Sequence, residues 1–310
     1  MNYENCIHCG ICTQNCAFLS KYKIDLAGFA KNPHLAYHCF LCGECTAHCP
    51  KNIDGCKIAM SLRQKKIAQA GNNFFALKEA KKYRLMVWEK QKYLFKSYRH
   101  ISAESVLFTG CSFPSFYPKT TLKLISLLKE RAHMGVVLDC CGKPIWELGM
   151  TKEYEKIKAS ISEKLKKRAV TEIVVICPNC YYFLKENLDI PVISIYEKLK
   201  QLNFENRISC EEMNLFIPCP AKKSGEIKSD FLPLVKGNIK EIKGIQCCGL
   251  GGEASPLEGK IAEEFSVKLK AENFPAIYTY CASCSGNLNR SGCKNVKHIL
   301  TELLNTHETL

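Results

Sequence analysis

Cysteine is the residue type through which this sequence could do chemistry. The chain has 310 residues and 21 cysteines, and its first residues lack the basic-then-apolar order of a signal peptide. In a reducing compartment, clustered thiols indicate metal or redox chemistry rather than disulfides. Eighteen of the cysteines fall into four patterned groups, whereas Cys56, Cys210 and Cys293 lie outside them and are expected to be plain buried residues.

Two of these groups share the spacing C-x2-C-x2-C-x3-C, reading CIHCGICTQNC from Cys6 to Cys16 and CFLCGECTAHC from Cys39 to Cys49. Bacterial ferredoxins hold two [4Fe-4S] cubanes with this spacing, and the fourth cysteine of each run binds the other cluster. Structural zinc is the alternative, which two complete copies of the run disfavour. We therefore expect two cubanes, held by a first N-terminal set of Cys6, Cys9, Cys12 and Cys49 and a second N-terminal set of Cys39, Cys42, Cys45 and Cys16.

The other two groups repeat a longer pattern of one cysteine, an adjacent pair followed by glycine, and a C-x-x-C. They are the first five-cysteine set, Cys111, Cys140, Cys141, Cys177 and Cys180, and the second five-cysteine set, Cys219, Cys247, Cys248, Cys281 and Cys284. The gaps between the three parts are 28 and 35 residues in the first copy and 27 and 32 in the second. The similar gaps predict an internal duplication.

Each part of a five-cysteine set follows a short apolar run that reads as a buried strand, and amphipathic helices lie between the runs. This order predicts two duplicated parallel α/β halves. The carboxyl ends of parallel strands meet at one edge of a sheet, so we expect each set to gather there. Gly142 and Gly249, which follow the cysteine pairs, would let the backbone turn beside a cofactor without a side chain.

The adjacent cysteines carry the functional hypothesis. Five thiolates are one more than a cubane needs, and neighbouring cysteines cannot easily occupy two corners of a regular cube. They could hold a distorted core or bridge two irons, so we expect a cluster that does chemistry as well as passing electrons. A buried structural disulfide or a zinc site is the alternative reading, which two matching sets make less attractive.

The remaining sequence suggests how the parts are joined. Residues 57–99 hold no cysteine and no strand-like alternation, and they predict two helices interrupted at 71–73, with Asn73 as an N-cap. The sequence predicts four segments: a ferredoxin-like domain over 1–56, a helical connector over 57–103 that could also present a basic docking surface, and α/β halves over 104–205 and 206–310.

Charge and hydropathy exclude some functions. The formal charge of +14 would suggest nucleic acid, but eighteen thiolates on four cores of about +2 each would reduce it to about +4. We therefore expect no nucleic-acid partner. No apolar run is long enough for an integral membrane span, and we expect a cytoplasmic protein.

Two ferredoxin-type runs are followed by two halves, each with the order Cys, Cys-Cys-Gly and Cys-x-x-Cys. In this the chain resembles the CCG-domain iron–sulfur family, and more closely the catalytic subunit of heterodisulfide reductase and its bacterial relatives. The resemblance rests on eighteen cysteines and covers nearly the whole chain. It implies that each five-cysteine set binds a noncubane [4Fe-4S] cluster, that these ten cysteines are catalytic, and that a disulfide is cleaved between the two clusters while the cubanes relay single electrons. The first gap in each half is slightly short for that family.

Two functions follow from the resemblance. The leading one is a disulfide reductase, or the reverse thiol oxidation, with a disulfide or thiol substrate. The rival is a non-catalytic electron-transfer subunit of a lactate-, glycolate- or glycerol-phosphate-oxidising complex, whose members often lack some of the five cysteines. No flavin or nicotinamide fingerprint is present, so we expect a partner that donates or accepts electrons, either a flavoprotein subunit or a ferredoxin.

Overall fold

The cysteine-rich N-terminal part folds into short helices around its own apolar core. The computed structural model of the protein describes residues 2–101, 104–222 and 224–308. The helices of this part are α1 (Ile11–Asn15), α2 (Ala17–Tyr22), α3 (Leu26–Ala30) and α4 (Glu44–Ala47), with 3-10 turns at Asn2–Asn5 and Pro33–His38. Phe18, Phe29 and Tyr37 are fully buried in the core of this part.

The connector begins with α5 (Gly55–Gln69), whose first turn is capped by the side chain of Asp54. Asn73 is an N-cap as predicted, but it caps a 3-10 turn at Phe74–Ala76 that is followed by another at Lys78–Lys82. The second helix, α6, therefore begins only at Arg84 and ends at Lys92. The expectation that this region holds no strand is wrong, because β1 (Ser97–His100) pairs antiparallel with a strand of the first half.

The first half is a five-stranded sheet with helices between its strands. Its order is β1-β3-β2-β4-β5, and all pairs except β1 with β3 are parallel. The elements are β2 (Ser105–Phe108), α7 (Ser112–Phe116), α8 (Pro118–Ala132), β3 (Gly135–Leu138), α9 (Lys143–Glu147), α10 (Thr151–Lys166), β4 (Glu172–Val175), α11 (Pro178–Asn187), β5 (Val192–Ser194) and α12 (Ile195–Gln201).

The second half repeats this arrangement with four parallel strands in the order β7-β6-β8-β9. Its elements are β6 (Ile208–Leu215), α13 (Glu226–Phe231), β7 (Val235–Glu241), α14 (Gly259–Ala271), β8 (Ile277–Thr279), α15 (Ala282–Arg290), β9 (Val296–His298) and α16 (Ile299–Leu303), with 3-10 turns at Cys219–Ala221, Leu232–Leu234 and Gly251–Glu253. The order β3-β2-β4-β5 matches β7-β6-β8-β9 position for position, which confirms the predicted duplication of a parallel α/β unit.

Two details of the predicted strands differ. The sequence before Cys247 predicts a strand over residues 242–245, but β7 ends at Glu241 and these residues are irregular. Similarly, β6 ends at Leu215, before Phe216 and Ile217. In both places one more backbone hydrogen bond follows the strand, from Phe216 N–H to the Tyr278 carbonyl and from Ile242 N–H to the Leu215 carbonyl. The predicted domain boundaries stay predictions, and residues 1, 102, 103, 223, 309 and 310 of the predicted segments lie outside the described residues.

The N-terminal part packs closely on both halves. Gly252, with φ of 63°, lies so near the loop around Phe40 that an added Cβ would be 2.4 Å from the Phe40 carbonyl carbon. Arg63 of α5 is fully buried and donates hydrogen bonds to the carbonyl oxygens of Ala36, Cys39 and Glu147. These contacts fix the second N-terminal set against both α/β halves.

Across the described ranges, none of the helices combines the length and the apolar character needed to cross a membrane.

Candidate metal centres

The two N-terminal cysteine runs adopt the same backbone course. In the first run, His8 and Gly10 have φ of 53° and 76°, and in the second run the equivalent Leu41 and Gly43 have φ of 50° and 75°. Left-handed residues at two positions turn the loop back on itself. The three cysteine side chains of a C-x2-C-x2-C run can then converge on one metal cluster. The repeat in sequence is therefore a repeat in conformation.

The predicted first N-terminal set lines one small cavity, and the second N-terminal set lines another. Cys49 comes to the first cavity from the second run, and Cys16 comes to the second cavity from the first run. This exchange of the fourth cysteine is the arrangement that two cubanes need. Binding of iron by these residues stays a prediction.

The donor chemistry of these cavities suits an iron–sulfur cluster. All 21 cysteines are free thiols, so none is used in a disulfide. The backbone N–H groups of Leu41 and Ile53 donate to the sulfur atoms of Cys39 and Cys49, each at 3.4 Å. Such N–H···S contacts stabilise negative charge on sulfur. The two cavities differ in exposure, because Cys9 of the first is exposed whereas all four cysteines of the second are buried.

The first five-cysteine set collects at the carboxyl ends of β2, β3 and β4, as expected. Cys111 interacts with Cys140, and Cys180 interacts with both Cys141 and Cys177. Hydrogen bonds from Cys140 and Cys180 lower the pKa of the Cys141 thiol, against the effect of burial. The fold thus favours a thiolate at the second cysteine of the adjacent pair, which is the form that binds metal.

The second five-cysteine set has the same pattern. The sulfur atoms of Cys219 and Cys247 are 3.7 Å apart, and Cys284 interacts with both Cys248 and Cys281. Hydrogen bonds from Cys247 and Cys284 lower the pKa of Cys248, the counterpart of Cys141. The backbone N–H of Gly249 donates to Cys247 at 3.3 Å. The adjacent pair therefore has the same cysteine partners in the two copies.

Glycine is needed after each cysteine pair. Gly142 and Gly249 have φ of 83° and 90°, and an added Cβ would lie 3.1 Å from Tyr154 of the first half and 3.0 Å from the Ala262 carbonyl of the second. Any other residue at these positions would destabilise the fold, because it would strain the left-handed backbone and clash with its neighbours. The structure gives these glycines a backbone role, and contact with a cofactor stays a prediction.

The two five-cysteine sets meet at the boundary between the halves. Cys177 of the first set interacts with Cys281 of the second, and the amide of Asn179 lies 3.9 Å from the Cys281 sulfur. The ten thiols consequently form one continuous series, in the order Cys111, Cys140, Cys141, Cys180, Cys177, Cys281, Cys284, Cys248, Cys247 and Cys219.

Lysines supply positive charge around this series. The Lys90 ammonium is near Cys111 and Cys140, and the Lys143 ammonium is near Cys141 and Cys219. Lys143 also pairs with Glu147, and both lie close to the half-buried Glu253, whose pKa is raised to about 7 by desolvation and by the Glu147 carboxylate. Lys143 and Glu147 closely follow the first cysteine pair in the sequence, whereas nothing in the sequence indicates that Lys90 of the connector reaches the first five-cysteine set.

Two further residues emerge only from the structure. Gln246, directly before Cys247, donates from its side-chain amide to Cys42 at 3.3 Å and to Cys16 at 3.7 Å. Lys222 contacts both Glu44 of the N-terminal part and the carbonyl oxygen of Gln246. Neither belongs to a motif, so only the folded chain brings them to the second N-terminal set.

Comparison with known proteins gives family matches in the N-terminal part and in the first half. Residues 5–53 match the family model described as a 4Fe-4S dicluster domain, and residues 105–185, in the first half, match the cysteine-rich CCG domain. An uncharacterized iron-sulfur protein of Methanococcus maripaludis is 23% identical over 308 residues, covering 91% of this chain and 62% of that protein. Another, from Methanocaldococcus jannaschii, is 24% identical over 281 residues, covering 82% of this chain and 57% of that protein. The chain thus spans about three fifths of the length of these relatives.

Similarity to solved structures is weak. An aspartate racemase homologue from Pyrococcus horikoshii aligns with a TM-score of 0.33 at 10% identity, over 66% of this chain and 96% of that chain. A glutamate racemase from Bacillus anthracis aligns with a TM-score of 0.33 at 11% identity, over 66% of this chain and 80% of that chain. Overlap at this level carries no argument about the fold or the function of this chain.

Proposed function

We propose that this iron–sulfur protein, which carries a 4Fe-4S dicluster domain and a CCG domain, is an oxidoreductase of the heterodisulfide reductase type. It would reduce a disulfide, or oxidise two thiols in the reverse direction, at its ten CCG cysteines. The observation that carries the proposal is the continuous series of ten thiols, joined between the halves by Cys177 and Cys281. We place the two sulfur atoms of the substrate at that boundary, where Cys177 and Cys281 are both buried.

The residues fit four clusters. The N-terminal sets would each hold a cubane, and the five-cysteine sets would each hold a noncubane [4Fe-4S] cluster. When bound, these clusters would supply one-electron transfer and iron sites able to take up a substrate sulfur. The thiolate-favouring surroundings of Cys141 and Cys248 support ligation at both adjacent pairs, and the completeness of both sets supports chemistry in both halves.

The side chains around the thiols have defined roles in this proposal. Lys90 and Lys143 offset the negative charge that cysteinate ligands would bring into the interior. Glu147 holds the Lys143 ammonium in place. Conversion of a disulfide into two thiols takes two electrons and two protons, so a one-electron donor must act twice. A flavoprotein or a ferredoxin would be the partner, and the exposed Cys9 side of the first N-terminal set is where we expect it to dock.

Turnover with a one-electron donor tests this function. Holoprotein prepared without oxygen is given reduced methyl viologen and a series of small disulfides, and thiol formation is measured. We expect turnover with the wild type, loss of turnover in Cys248→Ser and Cys141→Ser, and unchanged reduction of the cubane signals in both variants. Cys293→Ser is the matched control, because Cys293 is buried in the second half outside both sets.

The same assay decides against the rival function. A non-catalytic electron-transfer subunit would take up electrons at its cubanes but would form no thiol from any disulfide. Turnover that is unchanged in Cys248→Ser would likewise contradict the proposal, because the second five-cysteine set would then not take part in the reaction.

A further inference from the structure

Gln246 joins the second half to the second N-terminal set through one side-chain amide. It is 8% exposed and directly precedes Cys247. Its Oε1 accepts from the backbone N–H of Ala17 at 2.8 Å, and its Nε2 donates to the sulfur atoms of Cys42 and Cys16. Because the N–H of Ala17 requires an acceptor, the amide cannot be turned round, and its donor faces the two sulfurs.

Lys222 adds a partly buried positive charge at the same place. Its ammonium contacts the Glu44 carboxylate and the Gln246 carbonyl oxygen, next to Cys42 of the second N-terminal set and Cys219 of the second five-cysteine set. The pairing with the Glu44 carboxylate balances the ammonium in this partly buried place. The side chain therefore stays charged between two groups of thiols.

The first N-terminal set has, in place of such a lysine, a carboxylate beside its thiols, which is paired with the exposed His8 at 2.6 Å. There the sulfur of Cys6 lies 3.8 Å from the Asp25 carboxylate, which also accepts the backbone N–H of Gly28. A carboxylate disfavours additional negative charge on a nearby cluster, whereas N–H···S hydrogen bonds and an ammonium favour it. The two cubane sites, alike in sequence spacing and in backbone conformation, thus differ in the charges around them.

We propose that Gln246 and Lys222 are positioning residues that raise the reduction potential of the second N-terminal set above that of the first and make it the electron-exchange contact with the second five-cysteine set. The inference rests on the proposed function in so far as these cysteines hold iron–sulfur clusters. The exchange moves one electron at a time, and no bond is formed or broken. Electrons from a one-electron donor at the exposed first N-terminal set would therefore pass to the second N-terminal set. From there they would reach the second α/β half before the first α/β half.

Redox titration of the full-length holoprotein, followed by EPR, tests this assignment. Gln246→Glu keeps an oxygen for Ala17 but replaces the donor to Cys42 and Cys16 with a second oxygen, and Gln246→Leu removes both. We expect each variant to lower the potential of one of the two cubane signals, more strongly for Gln246→Glu, and to leave the other signal unchanged. Lys222→Met should lower the potential of that same cubane signal and also the potential of the cluster in the second five-cysteine set.

Two controls make the result specific. Lys167→Met removes the same charge from an exposed ion pair on α10 and should shift neither cubane signal. Asp25→Asn should raise the potential of the cubane signal that the Gln246 variants leave unchanged. Equal potentials in wild type, Gln246→Glu and Lys222→Met would overturn the inference, as would loss of iron in all three Gln246 and Lys222 variants, because the two residues would then only hold the fold.

The outcome separates this inference from the function it rests on. A wild-type holoprotein without two cubane signals would contradict the cluster assignment itself. Two signals that no variant shifts would contradict only the role of Gln246 and Lys222. Shifted potentials without disulfide turnover would support the electron-exchange contact and contradict the disulfide reductase.

Discussion

The thiols of Cys177 and Cys281 interact across the boundary between the two duplicated halves. Each residue follows the third parallel strand of its half and directly precedes a helix, α11 or α15, so the two occupy equivalent positions in the duplication. The contact makes the two five-cysteine sets one structural unit rather than two separate sites.

This contact predicts coupling between the halves. Cys177→Ser and Cys281→Ser should each change the EPR signals of the clusters in both five-cysteine sets, because each residue contacts a thiol of the other set. The two variants should also have similar effects on disulfide turnover. Cys210→Ser, which lies in the second half outside both sets, should leave the signals unchanged. A variant that changes only the signal of its own half would contradict the shared unit.

The packing of Gly252 against the second N-terminal loop predicts a second result. Gly252→Ala should lower the free energy of unfolding by about 3 kcal/mol, because it adds a clash with Phe40 to the strain of a left-handed backbone. Gly244→Ala is the matched control, since Gly244 has φ of 76° but nothing within 4 Å of an added Cβ. It should cost only about 1 kcal/mol. If urea unfolding showed the same loss of unfolding free energy for both variants, the loop around Phe40 would be able to move away from the added methyl group.

Much of this arrangement could be predicted from the sequence, because cysteine spacing encodes it directly. The four cysteine groups, the duplication, and the position of the five-cysteine sets at strand ends all follow from intervals in the chain. The strand β1 could not be predicted in this way. Ser97–His100 is a short polar edge strand that forms only because β3 offers it an antiparallel partner.

Contacts between the N-terminal part and the halves could not be read from the sequence either. Gln246, Lys222 and Lys90 lie in no periodic pattern, and their partners are distant in the chain; Gln246 and Cys42 are 204 residues apart. Likewise, Arg63 reads as an ordinary polar position of a helix. It is buried only because three carbonyl groups converge on its guanidinium.

Arg63 predicts a stability effect. Arg63→Met should lower the free energy of unfolding by about 3 kcal/mol or more, since it leaves the carbonyls of Ala36, Cys39 and Glu147 without their donor in a buried place. Arg63→Lys should recover only part of this lost unfolding free energy, because one ammonium cannot reproduce the planar set of donors of a guanidinium. The measurement is urea unfolding of the holoprotein.

The control for this series is Arg131→Met, at an exposed position near the end of α8, which should change stability by about 0.5 kcal/mol or less. If Arg63→Lys were as stable as the wild type, a single charge would be sufficient, and the three directed hydrogen bonds would not be needed.

The buried Glu258 predicts a pH dependence. Its carboxylate accepts hydrogen bonds from Lys21, Tyr22 and His38 of the N-terminal part. Burial raises the pKa of Glu258, but these partners outweigh that effect and hold it below the ordinary value of 4.5. A carboxyl group with a lowered pKa in the folded state stabilises the protein above about pH 4.5, and this stabilisation is lost as the pH falls through the folded-state pKa.

Glu258→Gln should therefore reduce stability by about 2 kcal/mol near neutral pH, and the difference from wild type should shrink toward acid pH. Urea unfolding at a series of pH values measures it. Glu212→Gln, which breaks a more exposed pair with Lys240, should cost less than about 1 kcal/mol. A difference for Glu258→Gln that stays constant with pH would contradict a role for its charge.

The central claim is that the N-terminal sets and the five-cysteine sets hold four clusters, and iron and sulfide analysis of anaerobically purified wild-type protein tests it most directly. We predict about sixteen iron and sixteen sulfide per chain, as four clusters of four require. About ten iron or fewer per chain would contradict the claim, because the five-cysteine sets could not then both carry a four-iron centre.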